Sequence, residues 1–187
     1  MFSIYMRLLL ILLSLTFKAM AYEEAAYNIV YQNDVYEIRN YSERLAIQVI
    51  YTNQNVGFRR LFNYISGSNT DSTKINMTIP ATRSNENGSN VMKFFLPSNF
   101  TKKNAPAPND KELKLVVIEQ GYFAAIKYSG MLTDKNFDKY RNILKDNLLK
   151  DDIEIINSAI RATYNGPITL PFLRRNEVMF SIIWIKK

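Results

Sequence analysis

Residues 113–150 read LKLVVIEQGYFAAIKYSGMLTDKNFDKYRNILKDNLLK and contain two strand-like segments followed by a helix-like segment. Leu113–Ile118 and Phe123–Tyr128 are rich in β-branched and aromatic residues and flank a turn at Glu119-Gln120-Gly121, which is typical of paired strands. Thr133 and Asp134 can begin a helix. The apolar residues that follow recur at helical spacing: Phe137, Tyr140, Leu144 and Leu148. The stretch therefore predicts the order strand, strand, helix over Thr133–Lys150.

A second helix is predicted earlier in the chain, over Asn55–Ser66. Asn55 is a candidate N-cap, and Gly67 is a natural C-terminal stop. The apolar residues between them fall at helical spacing: Phe58, Leu61, Phe62 and Ile65.

Strands are predicted on both sides of each helix, and a connector at Ser98–Asp110 divides the two halves. The predicted strands other than the pair at 113–128 are Val35–Tyr41, Arg44–Tyr51, Lys74–Arg83, Val91–Leu96, Ile155–Tyr164 and Val178–Ile185. The unit strand-strand-helix-strand-strand thus occurs twice. We expect an α+β fold, a distorted antiparallel β-barrel of two pseudo-twofold-related halves with two packed helices.

The N-terminus has the pattern of a secretory signal peptide, predicted over residues 1–21. Arg7 precedes the apolar run Leu8–Phe17, and the small-residue signature Ala19-Met20-Ala21 follows. The apolar run is too short to span a bilayer, so we expect no stable membrane span after cleavage. Residues 22–34 then form an N-terminal extension, and 35–187 the domain. The expected location is the bacterial periplasm, with secretion as the alternative. Lys18, just before the cleavage signature, is unusual for a signal peptide, so an uncleaved N-terminal anchor is a second alternative.

The composition narrows the possible chemistry. The 187 residues include 24 Lys and Arg against 17 Asp and Glu, and the sequence has no histidine and no cysteine. This excludes Ser-His and Cys-His nucleophilic sites, the usual zinc centres, disulfides and His-ligated haem. The basic residues are scattered in short doublets, so no nucleic-acid partner is expected. No phosphate-binding loop is present, and the composition favours a binding protein over an enzyme.

Several short strings, in the same order along the chain, resemble the SOUL haem-binding protein family. The most specific is Lys74–Pro80, KINMTIP, which is similar to the family signature K-I-x-M-T-x-P-V with Ala81 in place of valine. The others are Tyr36-Glu37-Ile38-Arg39 with Tyr41, Gly57-Phe58 and Leu61-Phe62 with Gly67, Phe94-Phe95-Leu96-Pro97, Pro106 with Pro108, Tyr164 with Pro167, and Arg174–Val178. The resemblance extends from about Val35 to the C-terminus.

This resemblance implies a two-helix barrel that binds haem or another tetrapyrrole in an apolar cleft beside a helix. The candidate binding residues are Phe58, Phe62 and Met77 for apolar contact and Arg59, Arg60 and Lys74 for the ligand's carboxylates. Each also has a structural alternative: the two phenylalanines as helix core, Met77 as part of a core strand, and the basic residues as solvated surface. The polar string Arg174–Glu177 is expected outside the core, pinning the loop after Pro171.

Two functions follow as alternatives. The first is an exported binder of haem, another porphyrin or a similar flat apolar anion, without histidine ligation of the iron. The second is an envelope protein-interaction or structural module with no cofactor. A haem-processing enzyme is a third and weaker alternative. The oligomeric state and the identity of the ligand are left open by these patterns.

Overall fold

The computed structural model describes residues 22–185, so the predicted signal peptide lies outside the described residues. Most of this region is organised around one nine-stranded antiparallel sheet, which curls into a half-barrel with two helices on its convex face. A small parallel sheet pairs Glu23–Glu24 (β1) with Thr78–Ile79 (β5). Among residues 22–185, no helix is both long and apolar enough to cross a membrane.

The nine strands come from all parts of the described chain. They are β2 (Tyr27–Gln32), β3 (Glu37–Tyr41), β4 (Arg44–Ile50), β6 (Ala81–Glu86), β7 (Ser89–Phe95), β8 (Leu113–Ile118), β9 (Gly121–Tyr128), β10 (Ile160–Thr163) and β11 (Asn176–Ile182). Helix α1 spans Gln54–Ile65, helix α2 spans Asp134–Lys150, and a 3-10 turn covers Pro171–Leu173. The order in the sheet is β2-β3-β9-β11-β10-β6-β7-β4-β8.

The strand order reflects the two halves. Each strand of the first half has a counterpart in the second half: β3 corresponds to β8, β4 to β9, β6 to β10 and β7 to β11. Apart from the edge strand β2, exchanging these counterparts gives the same strand order read from the opposite end. The first strand of each half pairs with the second strand of the other half, β3 with β9 and β8 with β4. The central pair, β6 with β10, joins the halves a third time. The predicted α+β fold with two pseudo-twofold-related halves is confirmed.

Strand alternation decides which side chains reach the helices. In β4, Leu45, Ile47 and Val49 face α1, which packs Leu61 and Tyr64 against them. Leu144 and Leu148 of α2 pack in the same way on β3, β9 and β11. The alternate residues of every strand therefore point to the concave face, away from both helices.

The helices begin and end close to the predicted bounds. Thr133 is the N-cap of α2, as predicted, and its hydroxyl accepts a hydrogen bond from the Asn136 amide at 3.2 Å. The N-cap of α1 is Asn53 rather than Asn55, because the Asn53 side chain accepts the amides of Asn55 and Val56. The prediction of the α1 cap was therefore wrong by two residues.

Three segments depart most from the predicted strands, and the bounds of the other strands shift by up to three residues. The predicted strand Lys74–Arg83 is interrupted, since Ile75 leaves the sheet to pack under α1 and donates its amide to the Ile65 carbonyl at 2.8 Å. The predicted strand Ile155–Tyr164 shortens to β10. Residues 22–34, expected as an extension, contain β1 and β2, and β2 pairs along β3.

Candidate functional site

The outer face of α1 carries two of the predicted binding residues as an exposed aromatic pair. Phe58 and Phe62 are 43% and 48% exposed, and their rings are stacked with centroids 6.2 Å apart. Phe58 also contacts Phe94 of β7 edge-on, with centroids 5.2 Å apart. The pair is anchored to the sheet at one end and open to solvent at the other. It is not plain helix core, and it offers a flat apolar surface.

The predicted basic residues differ in their surroundings. Arg59 and Lys74 are exposed, and within residues 22–185 neither forms an ion pair. The Arg60 guanidinium holds both oxygens of the Asp110 carboxylate, at 2.7 and 2.8 Å from Nη1. Arg59 is therefore free to meet a ligand carboxylate beside the aromatic pair, whereas Arg60 already has a partner.

Met77 lies away from the exposed surface of α1. Its side chain is partly buried and packs against the core cluster that includes Ile75 and Leu61. The segment that carries it runs beneath the helix rather than beside the exposed rings. The structure thus brings Phe58, Phe62 and Arg59 together in one helix, and places Met77 in the neighbouring core.

A second feature, which the sequence did not indicate, lies on the concave face of the sheet. It is a cavity of about 500 Å³, which we call the concave cavity. Its floor is apolar and aromatic, formed by Tyr41, Phe95, Phe123, Ile160 and Met179. Its rim is polar and is formed by the ends of strands and loops around residues 85–87, 119–120 and 157–158.

Arg44, the first residue of β4, lines the concave cavity. Its guanidinium carbon lies 4.1 Å from the ring centroid of Tyr41, 4.4 Å from that of Phe95 and 5.7 Å from that of Phe123. Within residues 22–185, its Nε has no hydrogen-bond partner and no carboxylate lies within ion-pair distance. Burial lowers the pKa of Arg44 to about 10, so the group remains a cation at neutral pH.

A buried ionic network adjoins the concave cavity, because Arg39 donates to the hydroxyl of the lining residue Tyr41 at 3.1 Å. The Glu177 carboxylate accepts two hydrogen bonds from Arg39, at 2.7 and 2.9 Å, and one from the Tyr164 hydroxyl at 2.7 Å. Arg175 donates to Glu177 at 3.0 Å and to both oxygens of Glu24 at 2.8 Å. Tyr41 therefore lies between this network and Arg44.

The network also corrects one expectation. Glu177 and Asn176, which were predicted to lie outside the core, are 0% and 1% exposed. Glu177 is stabilised by hydrogen bonds from Arg39 and Tyr164, and Asn176 Nδ2 donates to the Gly130 carbonyl, whereas Asn176 Oδ1 has no partner among the described residues. Arg174 donates to the carbonyls of Pro167 and Thr169 at 2.8 Å, so it holds the loop before Pro171 rather than the predicted loop after it.

The donor set of the described residues argues against a conventional metal centre. No cluster of three or more histidine, cysteine, aspartate or glutamate side chains in residues 22–185 could hold a metal ion.

The fold is similar to solved structures of very different sequence. It is similar to the crystal structure of the EcmrR C-terminal domain, with a TM-score of 0.61 and 12% identity, covering 84% of this chain and 100% of that chain. An uncharacterized conserved protein from Listeria innocua gives a TM-score of 0.62 at 9% identity, covering 80% and 92%. A hydrolase from Listeria innocua gives 0.58 at 9%, covering 82% and 94%. At these identities the likeness shows the fold alone.

Sequence comparison supplies the family. No curated protein gives a significant sequence match. The sequence model described as SOUL heme-binding protein, however, matches residues 22–181, which include both helices and every strand except Ile182, the last residue of β11. The resemblance expected from the short strings is thereby confirmed. The chain belongs to the SOUL heme-binding protein family.

Proposed function

We propose that this chain is an exported binding protein for haem, another porphyrin or a similar flat apolar anion, which it holds without histidine ligation and without catalysing a reaction. The observation that carries the proposal is the exposed, stacked pair of Phe58 and Phe62 on α1, in a chain of a haem-binding family. Two large apolar rings on a helix surface are costly to leave in water unless something covers them.

The aromatic pair supplies the affinity in this proposal. Covering apolar surface yields roughly 25 cal/mol per Å², a term that depends on area and hardly on the identity of the ring. A macrocycle can lie over both phenyl rings, because one is already fixed against Phe94 at the sheet end. This contact does not involve iron, so a metal-free porphyrin should bind about as well as haem.

The charges around the pair supply the orientation. Arg59 follows Phe58 directly and is exposed, so its guanidinium can meet a propionate at the edge of the macrocycle. Lys74 is exposed after the helix and is a further candidate. Arg60 is already paired with Asp110, so it can contact a propionate only while it also holds that carboxylate. When haem is bound, its iron would supply redox and ligand-binding chemistry, while these residues hold the ring.

The test is a titration of hemin and of metal-free protoporphyrin IX into the wild-type protein and the Phe62→Arg variant, followed by absorbance and tryptophan fluorescence. We expect similar affinities for both ligands in the wild type. In Phe62→Arg, both affinities should fall about tenfold, because a buried phenyl contact is worth roughly 1.5–3 kcal/mol.

Phe172→Arg is the matched control, because it makes the same chemical change at a phenylalanine that is 70% exposed on a distant loop. It should bind both ligands like the wild type. Equal uptake by wild type and Phe62→Arg, or no uptake by either, would contradict binding at α1.

The protein-interaction alternative is favoured by a different surface, the loop around the 3-10 turn. Its apolar side chains Ile168, Leu170, Phe172 and Leu173 are 96%, 55%, 70% and 64% exposed. A contiguous apolar loop of this kind is typical of a contact with another macromolecule. Photo-crosslinking from position 172 in cells should then trap a discrete partner that crosslinking from Lys139, an exposed residue of α2, does not trap.

A further inference from the structure

The concave cavity combines an apolar floor with one unpaired cation, Arg44, among its described lining residues. Its volume of about 500 Å³ is within the range of sites that hold small organic ligands. It opens on the face of the sheet opposite α1, so it is separate from the Phe58–Phe62 surface. An occupant must therefore match both the aromatic floor and Arg44.

Arg44 differs from the other arginines on the concave face, Arg39 and Arg175, because its guanidinium has no anionic partner within residues 22–185. A charge removed from water without a counter-charge is unfavourable, so a bound anion would stabilise it. Lys93, the other cation that lines the cavity, is bound by Glu86, and the two further arginines of the concave face are paired, Arg39 with Glu37 and Glu177 and Arg175 with Glu24 and Glu177. Lys114 of β8 lies on the same face but is exposed and does not line the cavity.

The aromatic contacts of Arg44 do not fulfil the role of an anion. Tyr41 and Phe95 attract the positive charge with their ring faces, but they leave the N–H donors without oxygen acceptors. Nε in particular is fully enclosed and has no acceptor. These rings position the guanidinium at the floor of the cavity, where a carboxylate or sulfonate can accept from it in bidentate fashion.

We propose that the concave cavity is a binding site for a small aromatic monoanion, whose acidic group is held by Arg44 and whose ring lies on the floor formed by Tyr41, Phe95 and Phe123. A single acidic group is favoured because the cavity has a single unpaired cation among its described lining residues: Lys93 is bound by Glu86 at the rim. Glu119 is also at the rim and is exposed, which disfavours a second negative charge there.

The test compares two fluorescent probes that differ in one group. 1-Anilinonaphthalene-8-sulfonate carries the anion, and N-phenyl-1-naphthylamine has the same ring system without it. We expect Arg44→Met to lower the affinity for the sulfonate about tenfold or more and to change the affinity for the neutral probe less than twofold. Arg44→Lys, which keeps the charge, should retain part of the sulfonate affinity.

Arg83→Met is the matched control, because Arg83 lies on β6 with its side chain on the opposite face of the sheet, beside Gln54. It should bind both probes like the wild type. Equal sulfonate affinity in Arg44→Met and Arg83→Met would overturn the proposal.

The wild-type protein gives a second readout that does not depend on a variant that must fold. Nuclear magnetic resonance should show the sulfonate probe shifting the amide signals of Tyr41 and Phe123. Shifts confined to Phe58 and Phe62 would instead place the probe on α1 and overturn the proposal. Displacement of the probe from the cavity by one equivalent of hemin would overturn it too, because it would assign the cavity to the macrocycle.

Discussion

Glu177 shows how a charged residue can become part of the core. Burial alone raises the pKa of its carboxyl, but the hydrogen bonds from Arg39 and Tyr164 outweigh burial and hold the pKa below its usual value. In the same network, burial opposes the charge of Arg39, and its bonds to Glu177 raise its pKa nonetheless. Burial and the Glu177 charge together raise the pKa of the Tyr164 hydroxyl. The carboxylate is therefore ionised, with its partners as donors.

We expect Glu177→Gln to lower the free energy of unfolding by about 3 kcal/mol at pH 7. Removing one partner of a buried ion pair costs roughly 3–5 kcal/mol. The lower end of this range is expected because Arg39 would still donate a hydrogen bond to the Glu37 carboxylate. Denaturant unfolding measures the loss. Glu112→Gln, an exposed carboxylate outside the network, is the control and should change stability by less than about 0.5 kcal/mol. A loss no larger than that of the control would contradict this account.

The same variant should change the response to acid. Because the folded-state pKa of Glu177 is lowered, its contribution is complete above the unfolded pKa of about 4.3 and is lost as the pH falls through the folded value. The stability difference between wild type and Glu177→Gln should therefore shrink below about pH 4.5. Unfolding curves between pH 7 and pH 3 measure it. A difference that stays constant over this range would contradict the lowered pKa.

At the scale of the element, the N-cap of α1 lies two residues before the predicted one. The Asn53 side chain accepts amide hydrogen bonds at 3.0 Å from Asn55 and 3.2 Å from Val56. An asparagine in extended conformation at this position satisfies donors that the first helical turn would otherwise leave unpaired. Asn55, already inside the helix and exposed, is no longer needed for capping.

We expect Asn53→Ala to destabilise the protein by about 1 kcal/mol, the usual loss for a helix cap. Asn55→Ala is the control: it should be neutral or slightly stabilising, since alanine has the higher helix propensity. Thermal or denaturant unfolding of the two variants decides between the two candidate caps. The reverse result, with Asn55→Ala the more destabilised, would restore the cap that the sequence predicted.

The predictions of secondary structure were correct where the signal lies in neighbouring residues of the sequence. Leu113–Ile118 and Thr133–Lys150 carry alternation or helical spacing with clear end signals, and both form as predicted, with Thr133 as the cap. Strand β2 was not predicted because its side chains are almost all exposed, and its strand state depends on pairing with β3. The break after Lys74 likewise depends on the Ile75–Ile65 contact, which no local pattern encodes.

At the scale of the whole molecule, one candidate site could be predicted from a local sequence pattern and the other could not. Phe58, Arg59 and Phe62 were predictable because one helix places them on one surface. The role of Arg44 was not predictable, although alternation along β4 already places its side chain on the face of the sheet away from Leu45. That its face encloses a cavity depends on Phe123 and Met179, which lie in the other half of the sequence. Only the pairing of the halves brings these residues together.

Export is a prediction that concerns the whole chain and rests on the sequence alone. Arg7, the apolar run Leu8–Phe17 and Ala19-Met20-Ala21 predict cleavage after Ala21. N-terminal sequencing of the protein from the envelope fraction should give Tyr22 or a close neighbour as the first residue. Leu12→Arg, which interrupts the apolar run, should leave the protein uncleaved inside the cell. An intact Met1 on a cytoplasmic wild-type protein would contradict export.

The exchanged strands lead to a prediction about folding. Because β3 pairs with β9 and β8 pairs with β4, each half supplies a strand that completes the sheet of the other. Cutting the chain between Lys102 and Lys103, two exposed residues of the connector, would separate the halves without breaking a strand. Residues 22–102 alone would then lack one sheet neighbour each of β3 and β4, and residues 103–187 would lack one neighbour of β9 and the only neighbour of β8.

We therefore expect neither fragment to unfold cooperatively by itself, since the unpaired strand edges and apolar faces remain in water. Mixed in equal amounts, the two fragments should recover the native circular dichroism spectrum and a cooperative transition, with a midpoint that rises with concentration. The intact chain with a protease site inserted at the same position is the control, and it should fold before and after cleavage. A cooperative transition in either isolated fragment would show that the halves are independent domains, and the strand exchange would then be dispensable for folding.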